Sequence, residues 1–384
     1  MANQIQQAGA AQAQGSVIAA ETRRRLAPVS FSSSQTKSSE LPRDTVLKRI
    51  AFHFTGQHDV TYAAGSPVFN QEGYWRLIPQ LQIIIDGQRN VKSIDPYMQR
   101  CLNSLYFGNP PRRAYSNGSA SAYTTLLPAT EWVSGTIAYP ATTQFQLINE
   151  MIIVHFEMPW AYGLGRESTM LNIKDVSSAE IRYSFAAMDQ IQRDETSPAS
   201  VTYGNIDLNI VPTIVEARAV PRDQQFFDFK ETVTRFNFTG EVRDSEIQLP
   251  RGNALAGVAF KVRNGSANRN LIDRGLRDMQ LQVNGQQVLA RTTFHELQDD
   301  NQARYGMNDV RASSRHAMEG FAFLNLLING RIDSALNTTL GAGVDQVRML
   351  VTTAASSGTD AATYTNPLEV SVWSQEIAAV PAKA

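Results

Sequence analysis

Residues 81–87 read Leu-Gln-Ile-Ile-Ile-Asp-Gly, and residues 279–285 read Met-Gln-Leu-Gln-Val-Asn-Gly. Each stretch is a mainly apolar run that ends in Asp-Gly or Asn-Gly. Such pairs favour a tight hairpin turn, because both central positions of that turn require a positive φ angle. The two stretches lie 198 positions apart. The sequence therefore predicts the same β-hairpin at two places in the chain.

Other segments also recur in the same order. Three further pairs lie at spacings of 208, 166 and 160 positions: Leu41–Leu47 with Leu249–Leu255, Ala179–Arg182 with Asp345–Arg348, and Leu208–Pro221 with Leu368–Pro381. The spacing of 166 matches Ile181 with Val347. The order never crosses and the spacing only shrinks along the chain. This pattern predicts two copies of one fold, with longer loops in the first copy.

The texture of both copies is that of β-structure. Short runs rich in Val, Ile, Phe, Tyr and Thr are separated by clusters of Gly, Pro, Asn, Asp and Ser. Polar and apolar residues alternate in Glu180–Phe185, Ile206–Ile210 and Leu368–Trp373, as in an antiparallel sandwich with one buried face. Asp95–Tyr106 has the spacing of a helix, and Glu319–Leu327 fits either a helix or a strand.

The matched ends of the two copies define the organisation of the chain. We predict an N-terminal arm at residues 1–26, a first domain at 27–221, a linker at 222–230, and a second domain with a short C-terminal tail at 231–384. A β-sandwich of this size with about eight strands has the dimensions of a jelly roll. The predicted fold is all-β, with two tandem eight-stranded antiparallel jelly rolls and few short helices.

Charge is scarce in this chain. Charged residues make up 18% of the 384 residues and the formal net charge is −1, so no global attraction to nucleic acid or to an anionic membrane is present. The arm is rich in Gln, Ala and Gly, and its concentrated positive charge is Arg23, Arg24 and Arg25. This run is either a solvated stretch or a contact for lipid headgroups or nucleic acid.

No catalytic or metal-binding pattern stands out in the sequence. A phosphate-binding loop and a Rossmann glycine triplet are both missing. His295–Asp299 lacks the second histidine of a zinc protease helix, and Asp299–Asn301 is a polar turn rather than a calcium loop. The single cysteine, Cys101, excludes an internal disulfide framework and is predicted to be a small buried residue. We predict no catalytic site, cofactor or metal.

The N-terminal residues lack the basic region and apolar core of a signal peptide. No stretch approaches the roughly 18 apolar residues that a membrane-spanning helix needs. These features predict a protein that is made inside the cell.

Two jelly-roll-sized units in tandem, a polar arm and no catalytic pattern resemble the double jelly-roll major capsid proteins of tailless icosahedral viruses, the tectivirus, corticovirus and adenovirus-hexon lineage. The resemblance covers about residues 27–381, and it rests on the strand texture, on Leu-Pro-Arg in both halves and on the paired closing strands. It implies a non-enzymatic structural protein whose homotrimers form pseudo-hexagonal capsomers of an icosahedral shell. The size of the chain favours a membrane-containing bacteriophage.

The resemblance also implies partners and locations. The partners are further copies of the chain, minor capsid and penton proteins, and internal membrane lipids contacted through the arm, without sequence-specific nucleic-acid binding. The protein is expected in the virion after synthesis in the host cytoplasm. By analogy, Arg23, Arg24 and Arg25 face the internal membrane or the genome, and the insertion at 108–135 faces outward or toward a neighbour.

Two alternatives remain open at this point. Jelly rolls also occur in carbohydrate-binding proteins and glycan hydrolases, although Trp75, Trp132, Trp160 and Trp373 fall at dissimilar points of the two copies. A minor capsid or spike protein of the same type of virus is the other alternative.

Overall fold

The structure is a computed structural model. It describes residues 21–62, 72–107, 143–158, 166–191, 201–218, 220, 226–265, 271–273, 275–305, 318–327, 334–339, 342–354 and 367–378. The predicted insertion at 108–135 and arm residues 1–20 lie outside these residues.

The first half of the chain folds into ten strands and one α-helix: β1 (Glu21–Arg25), β2 (Val29–Ser30), β3 (Thr36–Glu40), β4 (Val46–Tyr62), β5 (Gln80–Ile85), β6 (Arg89–Ile94), α1 (Pro96–Phe107), β7 (Thr143–His155), β8 (Leu171–Asn172), β9 (Ala179–Ser184) and β10 (Val201–Ala217).

The second half adds nine strands and one α-helix: β11 (Asp228–Phe238), β12 (Ser245–Gln248), β13 (Ala254–Asn264), β14 (Leu276–Val283), β15 (Gln286–Thr293), α2 (Phe294–Tyr305), β16 (Phe321–Asn325), β17 (Leu336–Asn337), β18 (Val347–Thr353) and β19 (Leu368–Ala378).

Each half is a sandwich of two antiparallel sheets. In the first roll, sheet 1A has the order β1-β10-β4-β7, with β2 and β8 at its margins, and it faces sheet 1B, of order β3-β9-β5-β6. In the second roll, sheet 2A has the order β11-β19-β13-β16, with β17 on β13, and it faces sheet 2B, of order β12-β18-β14-β15. The broken pair β1–β2 occupies the place of the single strand β11. The predicted fold of two tandem eight-stranded jelly rolls is confirmed.

Alternation along the strands places one face of each sheet in a core. In β4, Ile50, Phe52 and Phe54 point into the first core, and in β13, Val258 and Phe260 point into the second. All five side chains are fully buried. Each such burial contributes about 1.5–3 kcal/mol. The residues between them therefore face outward, where they are free to form other contacts.

The repeated hairpin is present in both rolls. Asp86 and Gly87 have φ angles of 54° and 71°, and Asn284 and Gly285 have φ angles of 50° and 77°. The backbone N–H of Asp86 donates to the carbonyl of residue 178 at 3.0 Å, and that of Asn284 donates to the carbonyl of residue 346 at 2.9 Å. The predicted turns are confirmed, and each is hydrogen-bonded to the equivalent loop of its own roll.

The Leu-Pro-Arg element has the same role in both rolls. Arg43 donates through its guanidinium to the carbonyl oxygen of Ser177, and Arg251 donates in the same way to Asp345. The side chain of Asp86 accepts from the backbone N–H of Ser177 at 2.7 Å, and that of Asn284 accepts from the backbone N–H of Asp345 at 2.8 Å. The repeated residues therefore join one loop to one hairpin in each copy.

The pairing of strands in the two rolls differs at one place from the spacing that the sequence repeat predicts. Glu40 pairs with Glu180 in the first roll, whereas Gln248 pairs with Arg348 in the second. Since residues 40 and 248 are 208 positions apart, their partners are related by 168 positions, not by the predicted 166. The error has a simple reason. A shift of two residues leaves the same side chains on the buried face, so alternation alone does not detect it.

A β-bulge is also duplicated. Glu216 pairs with Leu47 and Glu376 pairs with Leu255, as the predicted spacings of 160 and 208 positions require. One extra residue follows in each roll, at Lys48 and at residue 256, before the ladder resumes. Such bulges bend a strand and increase its twist. Both rolls therefore bend at the same place.

Some element boundaries differ from the sequence prediction. The prediction assigned residues 1–26 to an arm and 222–230 to a linker, whereas β1 begins at Glu21 and β11 begins at Asp228. Helix α1 matches the predicted helix at Asp95–Tyr106, and Glu319–Leu327 contains strand β16. Helix α2 was not predicted because it lacks a continuous apolar stripe. Its capping box was the available signal, since Thr293 and Glu296 exchange hydrogen bonds of 2.7 and 3.1 Å.

Candidate assembly interface

The two rolls meet through helix α1. Strands β11, β19, β13 and β16 present one row of neighbouring side chains on the outer face of sheet 2A: Val233, Trp373, Ala259 and Phe323. One face of α1 packs on this row through apolar side chains: Tyr97, Met98, Cys101, Leu102 and Leu105. The hydroxyl of Tyr97 also donates to the carbonyl of Glu319 at 2.7 Å. The first roll therefore covers the outer face of the second.

Cys101 lies within this contact. It is buried, as predicted from the sequence. Burial raises the pKa of its thiol to about 12. The thiol is therefore protonated at neutral pH, and it behaves as a small apolar group in the packing.

A backbone contact extends the junction. Strand β6 of the first roll and β11 of the second pair in parallel at Lys92 and Glu231. The Lys92 ammonium lies 2.5 Å from the Glu231 carboxylate, which also accepts a 2.8 Å hydrogen bond from Gln375. Both charged side chains are almost fully buried. Burial lowers the pKa of Lys92, and the charge of Glu231 opposes that effect.

A second buried charge cluster links loop and strand residues of both rolls. Nζ of Lys261 lies 2.6 Å from Oε1 of Glu72 and 2.5 Å from Oδ2 of Asp95, and the Lys261 side chain is 1% exposed. Arg263, two residues further along β13, forms two hydrogen bonds of 2.7 and 2.5 Å to Glu369. Lys261 therefore connects the two carboxylates of the first roll to sheet 2A.

The electrostatics of this cluster stabilise the ionised carboxylates. Burial raises the pKa of Glu72, but the nearby charges of Lys261 and two arginines outweigh it and hold the pKa at about 2. Burial likewise raises the pKa of Glu369, and the Arg263 guanidinium lowers it to about 2. Removing one member of such a cluster leaves an unpaired buried charge, which costs several kcal/mol. Any sliding of one roll on the other separates these pairs, so the cluster favours one register.

His155, at the end of β7, should make the stability depend on pH. Burial, assisted by the charges of Arg49 and Lys92, lowers its pKa from 6.5 to about 3. Its ring lies 4.0 Å from that of Phe107 on α1, measured between centroids. Since the unfolded chain binds this proton below pH 6.5 and the folded chain does not until about pH 3, this histidine lowers the stability as the pH falls. We expect a loss of about 2–3 kcal/mol between pH 7 and pH 4.5.

Urea unfolding followed across this pH range tests the expectation. The variant His155→Phe keeps an aromatic ring against Phe107 and removes the titration, so its stability should vary less between pH 6.5 and pH 4.5. The depressed pKa values of Glu72 and Glu369 act only below about pH 4.5. Identical pH profiles for the variant and the wild type between pH 6.5 and pH 4.5 would refute the role of His155.

The predicted arginine run lies in strand β1, at the free edge of sheet 1A. Arg24 donates at 2.5 Å to the buried Glu216 of β10. Arg23 and Arg25 pair with Val215 and residue 213, so they lie on the outer face of the sheet. The side chain of Arg23 is 68% exposed. Contact of this run with lipid or genome stays a prediction.

Sequence reasoning missed the charged residues of the junction. The available signal was a charge inside a mainly apolar run: Lys261 interrupts Ala254–Val262. Such a lysine on a central strand needs a partner wherever it is buried. Its partners Glu72 and Asp95 are more than 160 positions away.

Within the described ranges, no group of three or more His, Cys, Asp or Glu side chains is placed to hold a metal ion. No helix in that same part of the chain is long and apolar enough to cross a membrane.

The arrangement of two sandwiches joined side by side defines a class of protein fold, the double jelly roll of viral major capsid proteins. No protein-family model matches the chain, and no curated protein matches its sequence. Solved structures match over nearly the whole chain at low identity, which shows the fold.

Three of these structures illustrate the likeness. The major capsid protein of Sulfolobus turreted icosahedral virus matches with a TM-score of 0.58 and 12% identity, over 93% of this chain and 97% of that one. The major capsid protein P2 of bacteriophage PM2 matches with a TM-score of 0.51 and 11% identity, over 94% and 100%. The PBCV-1 virus capsid matches with a TM-score of 0.53 and 10% identity, over 93% of both chains.

Proposed function

We propose that this chain is a major capsid protein whose homotrimers form pseudo-hexagonal capsomers of an icosahedral shell. The observation that carries the proposal is the way the two rolls are joined. The β6 edge of the first roll pairs with the β11 edge of the second. Among the described residues, the corresponding edge strands, β1 of the first roll and β15 of the second, each pair with a strand on one side only.

A contact of this type is heterologous, because two different surfaces meet. Repeated contacts of this kind close into a ring when the rotation between units divides a full turn. Six rolls related by one rotation make a hexagonal ring, and with two rolls in each chain such a ring needs three chains. The scarcity of charge, 18% of residues, also suits a protein whose lateral surfaces are buried against other copies.

The similarity of the fold to viral capsid proteins adds to this argument. We propose a structural, non-enzymatic role in the virion of a membrane-containing bacteriophage after synthesis in the host cytoplasm. The partners would be further copies of the chain, minor capsid proteins and penton proteins. Residues 1–20, the part of the predicted arm that precedes β1, would face the internal membrane or the genome.

The mass of the purified protein in solution tests the trimer. We expect size-exclusion chromatography with light scattering to give three times the chain mass of 42.4 kDa, and electron microscopy to show a hexagonal outline. The physical reason is that the two free edges of one chain match those of its neighbours. A stable monomer at micromolar concentration would contradict the proposal. A shell containing hundreds of copies would assign the major rather than a minor capsid role.

A further inference from the structure

We propose that neighbouring copies are held together by an ionic contact, in which the acidic outer face of α2 of one copy binds the basic outer face of sheet 1A, at strand β1, of the next. This inference rests on the proposed function, and it names the residues that recognise the partner. The partner is a second copy of this chain.

Strand β1 of the first roll is the counterpart of strand β11 of the second. Thr22 pairs with Glu216 as Lys230 pairs with Glu376, and both glutamates occupy the same place in the duplicated ladder. Arg23 therefore corresponds to Glu231, the residue that meets β6 inside the chain. Strand β11 joins the second roll to the first, whereas its counterpart β1 has a free edge among the described residues. On this free edge, Arg23 occupies the position that Glu231 has on β11.

The outer face of sheet 1A corresponds to the face of sheet 2A that α1 covers. The row Val233, Trp373, Ala259, Phe323 corresponds to a row of cross-strand neighbours in the first roll: Arg25, Thr213, Ala51 and Ile153. The members of this row are half-buried or exposed. Beside it, Met151 is 55% exposed, whereas its counterpart Phe321 is 1% exposed at the junction within the chain. No helix of the described residues covers this surface.

Helix α1 of the first roll and helix α2 of the second are counterparts. Both have 12 residues and both directly follow the strand of the repeated hairpin. Asn103 donates to the carbonyl of Ile153 at 2.7 Å, and Asn301 donates to that of Phe323 at 2.6 Å. The same side of each helix therefore contacts its own roll, and the opposite side is available for a neighbour.

The available side of α2 differs in charge from that of α1. Five buried residues of α1 contact the second roll, and their counterparts on α2, 198 positions later, are all exposed: His295, Glu296, Asp299, Asp300 and Ala303. Three of the five are acidic, although Asp300 also pairs with Arg304 of the same helix at 3.5 Å. The matching surface of sheet 1A carries Arg23 and Arg25 on its outer face, and Glu21 of the same strand lies 3.8 Å from Arg23. Opposite charges therefore lie where the junction within the chain has apolar contacts.

This difference gives each contact its own specificity. An acidic helix face does not replace α1 on the apolar row around Trp373, because its carboxylates would lose water without a charged partner. Nor does apolar α1 offer a partner to the arginines of β1. The contact within the chain and the contact between chains are thus kept distinct, which favours alternation of first and second rolls around the ring.

A charge-reversal experiment on the full chain tests the inference. The first variant carries Asp299→Lys and Asp300→Lys, the second carries Arg23→Glu and Arg25→Glu, and the third combines all four changes. We expect each of the first two to raise the protein concentration at which half the chains are trimeric by about tenfold or more. The combined variant should recover most of the wild-type association, because the reversed charges meet across the contact.

A control variant carries the same change in net charge as the first variant but away from the contact, Asp175→Lys with Glu241→Lys, two exposed positions, and it should associate like the wild type. Salt should weaken the wild-type trimer, because exposed charges are screened. All altered residues are exposed, so the melting temperatures of the monomers should agree with one another.

The outcomes separate this inference from the proposed function. Wild-type trimers that persist unchanged in both charge-reversed variants overturn the ionic contact and leave the capsid role standing. Failure of the combined variant to recover association, with folding intact, also overturns the contact. A wild-type protein that is monomeric at all accessible concentrations overturns the proposed function itself.

Discussion

Lys261→Met is expected to lower the free energy of unfolding by about 3–5 kcal/mol. The Lys261 ammonium lies within hydrogen-bond distance of Glu72 and Asp95, and all three side chains are buried. Methionine has a similar volume, so the packing changes little. The loss arises because two buried carboxylates lose their shared partner. Urea or calorimetric unfolding at neutral pH measures the effect.

Two further variants make the interpretation specific. Arg243→Ala removes an arginine that pairs with Glu241 at the surface, and it should change the stability by at most about 1 kcal/mol. Adding Glu72→Gln and Asp95→Asn to Lys261→Met should recover part of the loss, because the orphaned charges are then removed. If Lys261→Met unfolds within 1 kcal/mol of the wild type, the cluster does not have the importance given to it here.

Trp373→Ala is expected to destabilise the junction of the two rolls by about 3–5 kcal/mol. Trp373 is buried at the centre of the row that α1 covers, and its ring lies 6.3 Å from that of Phe323, measured between centroids. Its removal leaves a cavity under α1 that the rigid sheet does not close. Hydrogen exchange of the α1 amides should therefore become faster, in addition to a lower melting temperature.

The repeat supplies a matched control for this prediction. Thr213 occupies the corresponding position on the first roll, and Thr213→Ala should have a small effect on unfolding because no helix in the described part of the chain covers it. A melting temperature and α1 exchange rates for Trp373→Ala equal to those of the wild type would show that α1 is held by other contacts.

The two buried contacts within the chain have complementary roles. The apolar contact of α1 with Trp373 supplies most of the favourable burial, since apolar area removed from water is the dominant stabilising term. The cluster around Lys261 fixes the relative position of the two rolls, because a buried charge tolerates few positions of its partners. We infer that this combination keeps the two rolls in one orientation, which the proposed ring of six rolls requires.

Much of the fold was predictable from the sequence because it rests on local rules. Asp86-Gly87 and Asn284-Gly285 predict hairpins since few other residues adopt positive φ angles, and the structure contains both turns. Alternation predicted the strand at Glu180–Phe185, and helical spacing predicted α1. The ordered repeat then predicted two rolls. Local rules failed where two strand registers bury the same side chains. At β18, the predicted register therefore differs from the observed one by two residues.

The sequence by itself determined the duplication, the all-β class and the positions of the turns, because each depends on residues that are close together in the chain. The tertiary structure alone decided which surfaces meet. Lys261 finds Glu72 and Asp95 across more than 160 positions of chain, and no local pattern encodes that distance. Arg23 and Arg25 lie at the edge of a sheet only because β1 pairs with β10. Burial and charge complementarity depend on the folded chain as a whole, so the candidate interface became visible only in the structure.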